Sequence, residues 1–350
     1  MIRFGHLLGL HGAAGANYFD TVRKLAAASE AAGLDAVFYS DHLMSRLHRP
    51  HVARIWWLLA ALRRRRLGGL FASTLAGLAL RLDRRAGDDP ERTLPTLECF
   101  TTLAALAATT RRIRLGALVA AVPYRNPALL ARMNANLDLI SHGRCIVGLG
   151  AGWQEEEFRA YGWRFPSARA RAEQLDEAAQ IISAMLSQPH TRFRGAHFRL
   201  DHALSYPPPV QRPRPPLLIG ASGERRTLRT AARYADYSNI LGDPATVARK
   251  IAVLHAHCAA VGRPAEAITL TNLVSILIAR SEAELARKRR SYHHRGGHPV
   301  EGTPARVVEQ LRAYIAVGVR YIIFTLPDAH NLEPLALFTE TVIPALAEEG

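Results

Sequence analysis

Cysteine is scarce. Cys99, Cys145 and Cys258 are the three in 350 residues, far apart and without a CxxC pair. That excludes a disulfide framework and a thiolate zinc site, and it predicts buried thiols in a reducing compartment, hence the cytoplasm. Long apolar runs are missing too. The uncharged stretch between Arg66 and Arg81 has fourteen residues, short of the roughly 20 that span a bilayer. The N-terminus lacks the apolar run of a secretory signal. No GxSxG elbow and no HExxH helix occurs, so serine-hydrolase and zincin chemistry have no motif here. Acidic residues are in the minority, 30 against 45 Lys and Arg, for a formal charge of +15. About half of that excess sits in residues 46–89, which hold ten Arg against three Asp. So local a surplus argues against general nucleic-acid binding. It suits an anionic cofactor or substrate, or a membrane surface near that segment.

What is present is a soluble composition, 49% hydrophobic, arranged in short apolar strands that alternate with amphipathic helices. Strands are predicted at residues 2–8, 36–40, 113–119, 145–149, 217–219, 237–240, 268–278 and 321–324. Helices are predicted at 18–32, 94–108, 127–140, 155–161, 168–186, 227–235, 245–261, 304–317 and 332–347. Residues 193–200 alternate like a hairpin excursion, and the run 207–216 (PPPVQRPRPP) must be extended, as a surface crossover. About eight strands in this rhythm predict an α/β fold of the (β/α)8 TIM-barrel type, a single domain over residues 1–350. Residues 44–90 break the rhythm with IWWLLAAL, RRRR and LGGLFASTLAGLAL. They read as a long helical insertion after strand 2, serving as an interface element, a lid, or a membrane-surface element suited by Trp56, Trp57 and the arginines.

In such barrels chemistry gathers where strands end. Strand 2 ends in Ser40-Asp41-His42-Leu43. An Asp–His pair there can hold an imidazole on the rim, and an ordinary imidazole titrates near pH 6.5, so His42 could give or take a proton. The pair equally suits a capped turn with a packed ring. Strand 4 ends in Gly148-Leu-Gly150-Ala151-Gly152-Trp153. The third glycine comes too soon for a dinucleotide fingerprint, so the glycines instead let backbone approach a flat ligand. Gly220-Ala221-Ser222-Gly223 precedes a helix and can cradle an anion on backbone amides, with Ser222 adding a hydroxyl; a plain helix start is the alternative. After strand 3, Pro123 and Pro127 bracket Tyr124, Arg125 and Asn126, a rigid turn whose Tyr124 or Arg125 could reach a ligand. Tyr292-His-His-Arg-Gly-Gly-His298 lacks an acidic neighbour and reads as a solvated loop rather than a metal site.

Taken together, residues 29–43, 93–158, 215–240, 250–262 and 302–324 resemble the luciferase-like monooxygenase superfamily, closest to its F420-dependent oxidoreductase branch. The resemblance implies a tricyclic ring at the strand C-termini, backed by a non-proline cis peptide near Leu118–Val119. It implies cofactor contacts from Asp41, Leu118, Val119, Gly150, Ala151, Gly152, Gly220, Ala221, Ser222 and Gly223, with the phosphate on the last four, and it makes His42 the residue beside the reactive ring carbon. No metal is implied. A sugar-phosphate dehydrogenase of this group carries an acidic residue where Trp153 stands, which argues against the same substrate, and His11 occupies the usual polar position near the end of strand 1. The expected activity is hydride transfer between coenzyme F420 and an organic small molecule, by a homodimer with no nucleic-acid partner. The alternatives are an FMN-dependent monooxygenase using reduced flavin and O2, and an inactive barrel serving binding or membrane association.

Overall fold

The computed structural model describes residues 2–9, 17–46, 93–94, 96–292, 297–328 and 331–347. They belong to two compact units, Met1–His42 with Leu97–Gly350, and Leu43–Thr96. The first unit carries eight parallel strands: β1 (Arg3–Leu8), β2 (Ala36–Tyr39), β3 (Arg114–Ala117), β4 (Cys145–Gly150), β5 (Leu217–Gly220), β6 (Tyr237–Asn239), β7 (Thr269–Ile278) and β8 (Tyr321–Thr325). Each pairs with the next in chain order, and β8 pairs with β1 from Arg3↔Tyr321 to His6↔Phe324, so the sheet closes on itself. This is the barrel that the strand–helix alternation predicts.

The outer layer is α1 (Tyr18–Ala31), α2 (Cys99–Thr109), α3 (Pro127–Ile140), α4 (Glu155–Ala160), α5 (Ala168–Ser187), α6 (Thr227–Tyr234), α7 (Pro244–Ala260), α8 (Glu282–Ser291) and α9 (Pro304–Ala316). Capping fixes several starts. Asn126 accepts from the Ala128 N–H and Asp243 from the Thr246 N–H, each followed by Pro at the first helical position, where a missing N–H costs nothing. α2 starts five residues later than predicted because Glu98 caps it, accepting the Thr101 N–H at 2.7 Å. Thr93–Leu94 instead pairs antiparallel with Ser45–Arg46 in the second unit. The remaining residues of the predicted insertion, and His11, lie outside the described residues.

Two elements were missing from the sequence reading. α8 buries one side chain, Leu285, so it shows almost no apolar period. The strand His298–Gly302 pairs with the distal half of β7, from Val274↔His298 to Ile278↔Gly302. It corrects the reading of that end of the His-rich stretch as loop, while residues 293–296 lie outside the description. The hairpin is longer than predicted, His190–Arg194 with Arg199–Leu204. The C-terminal helix is interrupted by a π-helical stretch, Phe338–Val342.

Strand side chains alternate between two cores, as the period of two requires. Outward residues join the helices in one large cluster, and Phe38, Ile146, Leu218, Leu273, Tyr321 and Ile323 fill the barrel. At the strand N-termini the filling turns polar. Arg3 and Arg114 donate to the Tyr237 hydroxyl at 3.2 and 2.9 Å, and the Arg3 guanidinium lies 4.9 Å from the centre of the Tyr321 ring. The three cysteines are buried and unpaired with one another. Among the described residues no helix is long and apolar enough to cross a membrane.

Candidate active site

The mouth of the barrel is built around the junction after β3. The Leu118–Val119 peptide is cis, where the resemblance placed it. The chain then pairs again, Ala120 and Ala121 with Leu149 and Gly150 of β4. This double use of β4 explains its glycines. A Cβ on Gly148 would lie 1.8 Å from the Ala117 carbonyl oxygen, and one on Gly150 would lie 2.4 Å from a Val119 methyl. Gly220 of β5 faces the same side chain, with Val119 Cγ2 3.1 Å from a virtual Cβ. The expectation that Gly148 and Gly150 open space for a flat ligand is therefore corrected: they open space for the strand 3 junction. Val119 is half-buried between Gly150 and Gly220 and Leu118 is buried, so the two offer an apolar shelf at the strand ends. Gly152 has φ +71°, a left-handed conformation that favours glycine, and it turns the chain toward α4.

Asp41 and Arg125 are also placed differently from expectation. Asp41 is buried, accepts the Ala121 N–H at 3.0 Å and takes a two-pronged ion pair from Arg125 at 2.6 and 2.9 Å. Arg125 bonds Glu98 at 2.8 Å as well. Both Asp41 oxygens thus hold the junction, so Asp41 is a wall residue rather than a cofactor contact, and Arg125 points into the protein rather than toward a ligand. Burial alone would raise the Glu98 carboxyl, but the Thr101 N–H and hydroxyl together with Arg125 hold it below the usual carboxylate range.

His42 follows Asp41 and stands on the rim with 31% of its side chain exposed. Its Nδ1 lies 3.0 Å from Oε2 of Glu157, a fully buried carboxylate on α4. Tyr124 donates to the same oxygen at 2.5 Å. Burial, and next the bond to Glu157, raise the Tyr124 phenol, so it keeps its proton and remains the donor. Tyr124 packs on Phe158 and Trp163, with ring centres 4.9 and 4.8 Å away. Trp153 meets the His42 ring edge-on at 5.7 Å and is 72% exposed. Glu157 was absent from the sequence reading, although Glu155-Glu156-Glu157 opens a predicted helix next to the glycine turn. Nothing in a run of three glutamates says which one turns inward.

The loop after β5 needs a correction of detail. The Ala221 N–H donates to the Asn239 carbonyl at 3.0 Å, and the Gly223 N–H donates to the Thr227 hydroxyl at 2.9 Å. Both amides serve the fold. Ser222 is exposed between them, with Arg225 and Arg226 exposed just beyond. An anion would meet the Ser222 hydroxyl and amide and the two cations rather than four main-chain donors. An apolar shelf beside a hydroxyl and two arginines fits a flat ring carrying a phosphate. Among the described residues no group of three or more His, Cys, Asp or Glu could hold a metal ion.

Comparison with known proteins gives the family and the fold. Residues 84–301 match the family described as luciferase-like monooxygenase. An uncharacterized protein of Mycobacterium tuberculosis (strain ATCC 25618 / H37Rv) is 36% identical over 146 residues, 42% of this chain and 50% of the relative. The pyrimidine monooxygenase RutA of Stutzerimonas stutzeri (strain A1501) is 31% identical over 208 residues, 57% of this chain and 55% of the relative. The chain thus spans about half the length of these curated relatives. Among solved structures, an F420-dependent secondary alcohol dehydrogenase in complex with an F420–acetone adduct superposes with a TM-score of 0.74 at 15% identity, over 99% of both chains. A riboflavin lyase with modified FMN and riboflavin superposes with a TM-score of 0.74 at 18% identity, over 100% of this chain and 92% of that one. At such identities both establish the fold alone.

Proposed function

Because the chain belongs to the luciferase-like monooxygenase family, we propose that it is an oxidoreductase moving a hydride between coenzyme F420 and an organic small molecule. The observation that carries this reading is His42, an imidazole with its Nδ1 on Glu157, following the strand that pairs with the one leading into the cis Leu118–Val119 peptide. The cofactor supplies the hydride chemistry when bound. The chain supplies the rest. Leu118 and Val119 back the ring, and Ala151 and Gly152 bound it on the β4 side. Ser222, Arg225 and Arg226 take the phosphate. His42 delivers or removes, at Nε2, the proton that accompanies hydride transfer. Arg125 and Asp41 keep the β3 junction in place under the ring. The net charge of +15 draws in a polyanionic cofactor by long-range steering.

A second reading rests on the pyrimidine monooxygenase relatives: a flavin mononucleotide monooxygenase using reduced flavin and O2 on the same shelf. The two part at the cofactor. Fluorescence titration of the purified chain with F420 and with FMN is the test. Saturable F420 binding at least tenfold tighter than FMN is the expected result. Tighter FMN, with oxygen consumed once the flavin is reduced, moves the assignment to the monooxygenase. Binding of neither moves it to a barrel without redox function.

A further inference from the structure

Glu157 has no part in the reading above beyond standing beside His42. It is the unusual group of the site: a carboxylate with no exposed side-chain surface, on a helix of six residues. A buried carboxylate needs compensation by charge or by hydrogen bonds. Here two donors, the Tyr124 hydroxyl and His42 Nδ1, converge on one oxygen.

We infer that Glu157 is the positioning residue of His42, fixing the ring and its tautomer, and that Tyr124 aims Glu157. A carboxylate only accepts, so the His42 hydrogen must sit on Nδ1. That leaves Nε2 as the nitrogen that exchanges its proton at the mouth. The contact at 3.0 Å orients the ring, as an orienting carboxylate does for the base of a hydrolase triad. Among the described residues, Asp41 and Glu98 both pair with Arg125, and Glu155, in the same turn as Glu156 and Glu157, pairs with Arg159.

The role rests on His42 acting as proposed, but its test is independent of the cofactor. In the cofactor-free chain, nitrogen-15 NMR of His42 is expected to show the Nδ1–H tautomer when the ring is neutral. In Glu157→Gln, whose amide can donate as well as accept, the preference for the Nδ1–H tautomer is expected to be lost. In Tyr124→Phe, which keeps the carboxylate, that tautomer is expected to persist. An Nε2–H tautomer in the parent overturns the inference even if the Gln variant does not fold. So does a folded Glu157→Gln variant with the tautomer ratio of the parent. In the loaded enzyme, turnover of Glu157→Gln is expected to fall about tenfold to a hundredfold with cofactor affinity within threefold. If F420 fails to bind while the NMR results hold, the cofactor assignment falls and the Glu157 role stands.

Discussion

At the scale of single residues the histidines divide by environment. His42 is on the rim, and His42→Ala is expected to lower turnover about a hundredfold or more, in line with general acid–base contributions, while F420 affinity stays within threefold; equal losses in both would make His42 a binding residue. His6 is its opposite. It lies inside the fold, stacked on Phe324 at 4.9 Å with Nδ1 2.9 Å from the Ser29 hydroxyl, and burial pushes it down to about 3. The unfolded chain protonates this ring near pH 6.5 and the folded chain does not. The linked stability is therefore complete above about pH 6.5 and is lost as pH falls toward 3. Between pH 7 and pH 5 this amounts to about 2 kcal/mol. His6→Phe keeps a stacked ring without the proton, so its urea midpoint should fall less over that interval than the parent's; identical falls would exclude His6 as the source. The sequence made His42 visible because a strand end precedes it. It gave no sign of Glu157, whose inward turn depends on where α4 sits.

At the scale of elements, the β3–β4 contact is the demanding one. Gly148→Ala would set a methyl against the Ala117 carbonyl, and a loss of about 3 kcal/mol is expected from overpacking against backbone, read as a lower denaturation midpoint. Periodicity showed both strands but not their approach, because no side-chain pattern encodes a backbone distance. The proline-rich crossover is similar. It was legible as extended, yet its anchor was not. Asp138, buried on α3, accepts from the Val210 N–H, the Gln211 N–H and the Gln211 side chain at 2.7, 2.9 and 2.7 Å. Asp138→Ala leaves those donors without their acceptor and should cost about 3 kcal/mol; a midpoint unchanged from the parent would mean water replaces the carboxylate. α8 and the strand His298–Gly302 escaped notice for a simpler reason: one buried leucine and a five-residue HPVEG carry too little pattern.

At the scale of the molecule, the barrel was legible because eight apolar strands alternate with helices in chain order, and closure needs nothing else than the β8–β1 and β4–β5 pairings. A ligand held by several strand ends binds the folded chain alone. F420 at a hundred times its dissociation constant should therefore add about 2.7 kcal/mol of stability, visible as a higher melting temperature that FMN at the same concentration does not match. Equal shifts from both would leave the shelf indifferent to the ring. The opposite pole of the barrel bears on traffic. Among the described residues, apolar side chains around Phe38 and then the Arg3–Tyr237–Arg114 cluster fill the barrel behind the mouth. On the proposed function, whatever is consumed and whatever is made would use one doorway in turn, and a spent molecule that lingers on the threshold would slow turnover by keeping the next arrival outside.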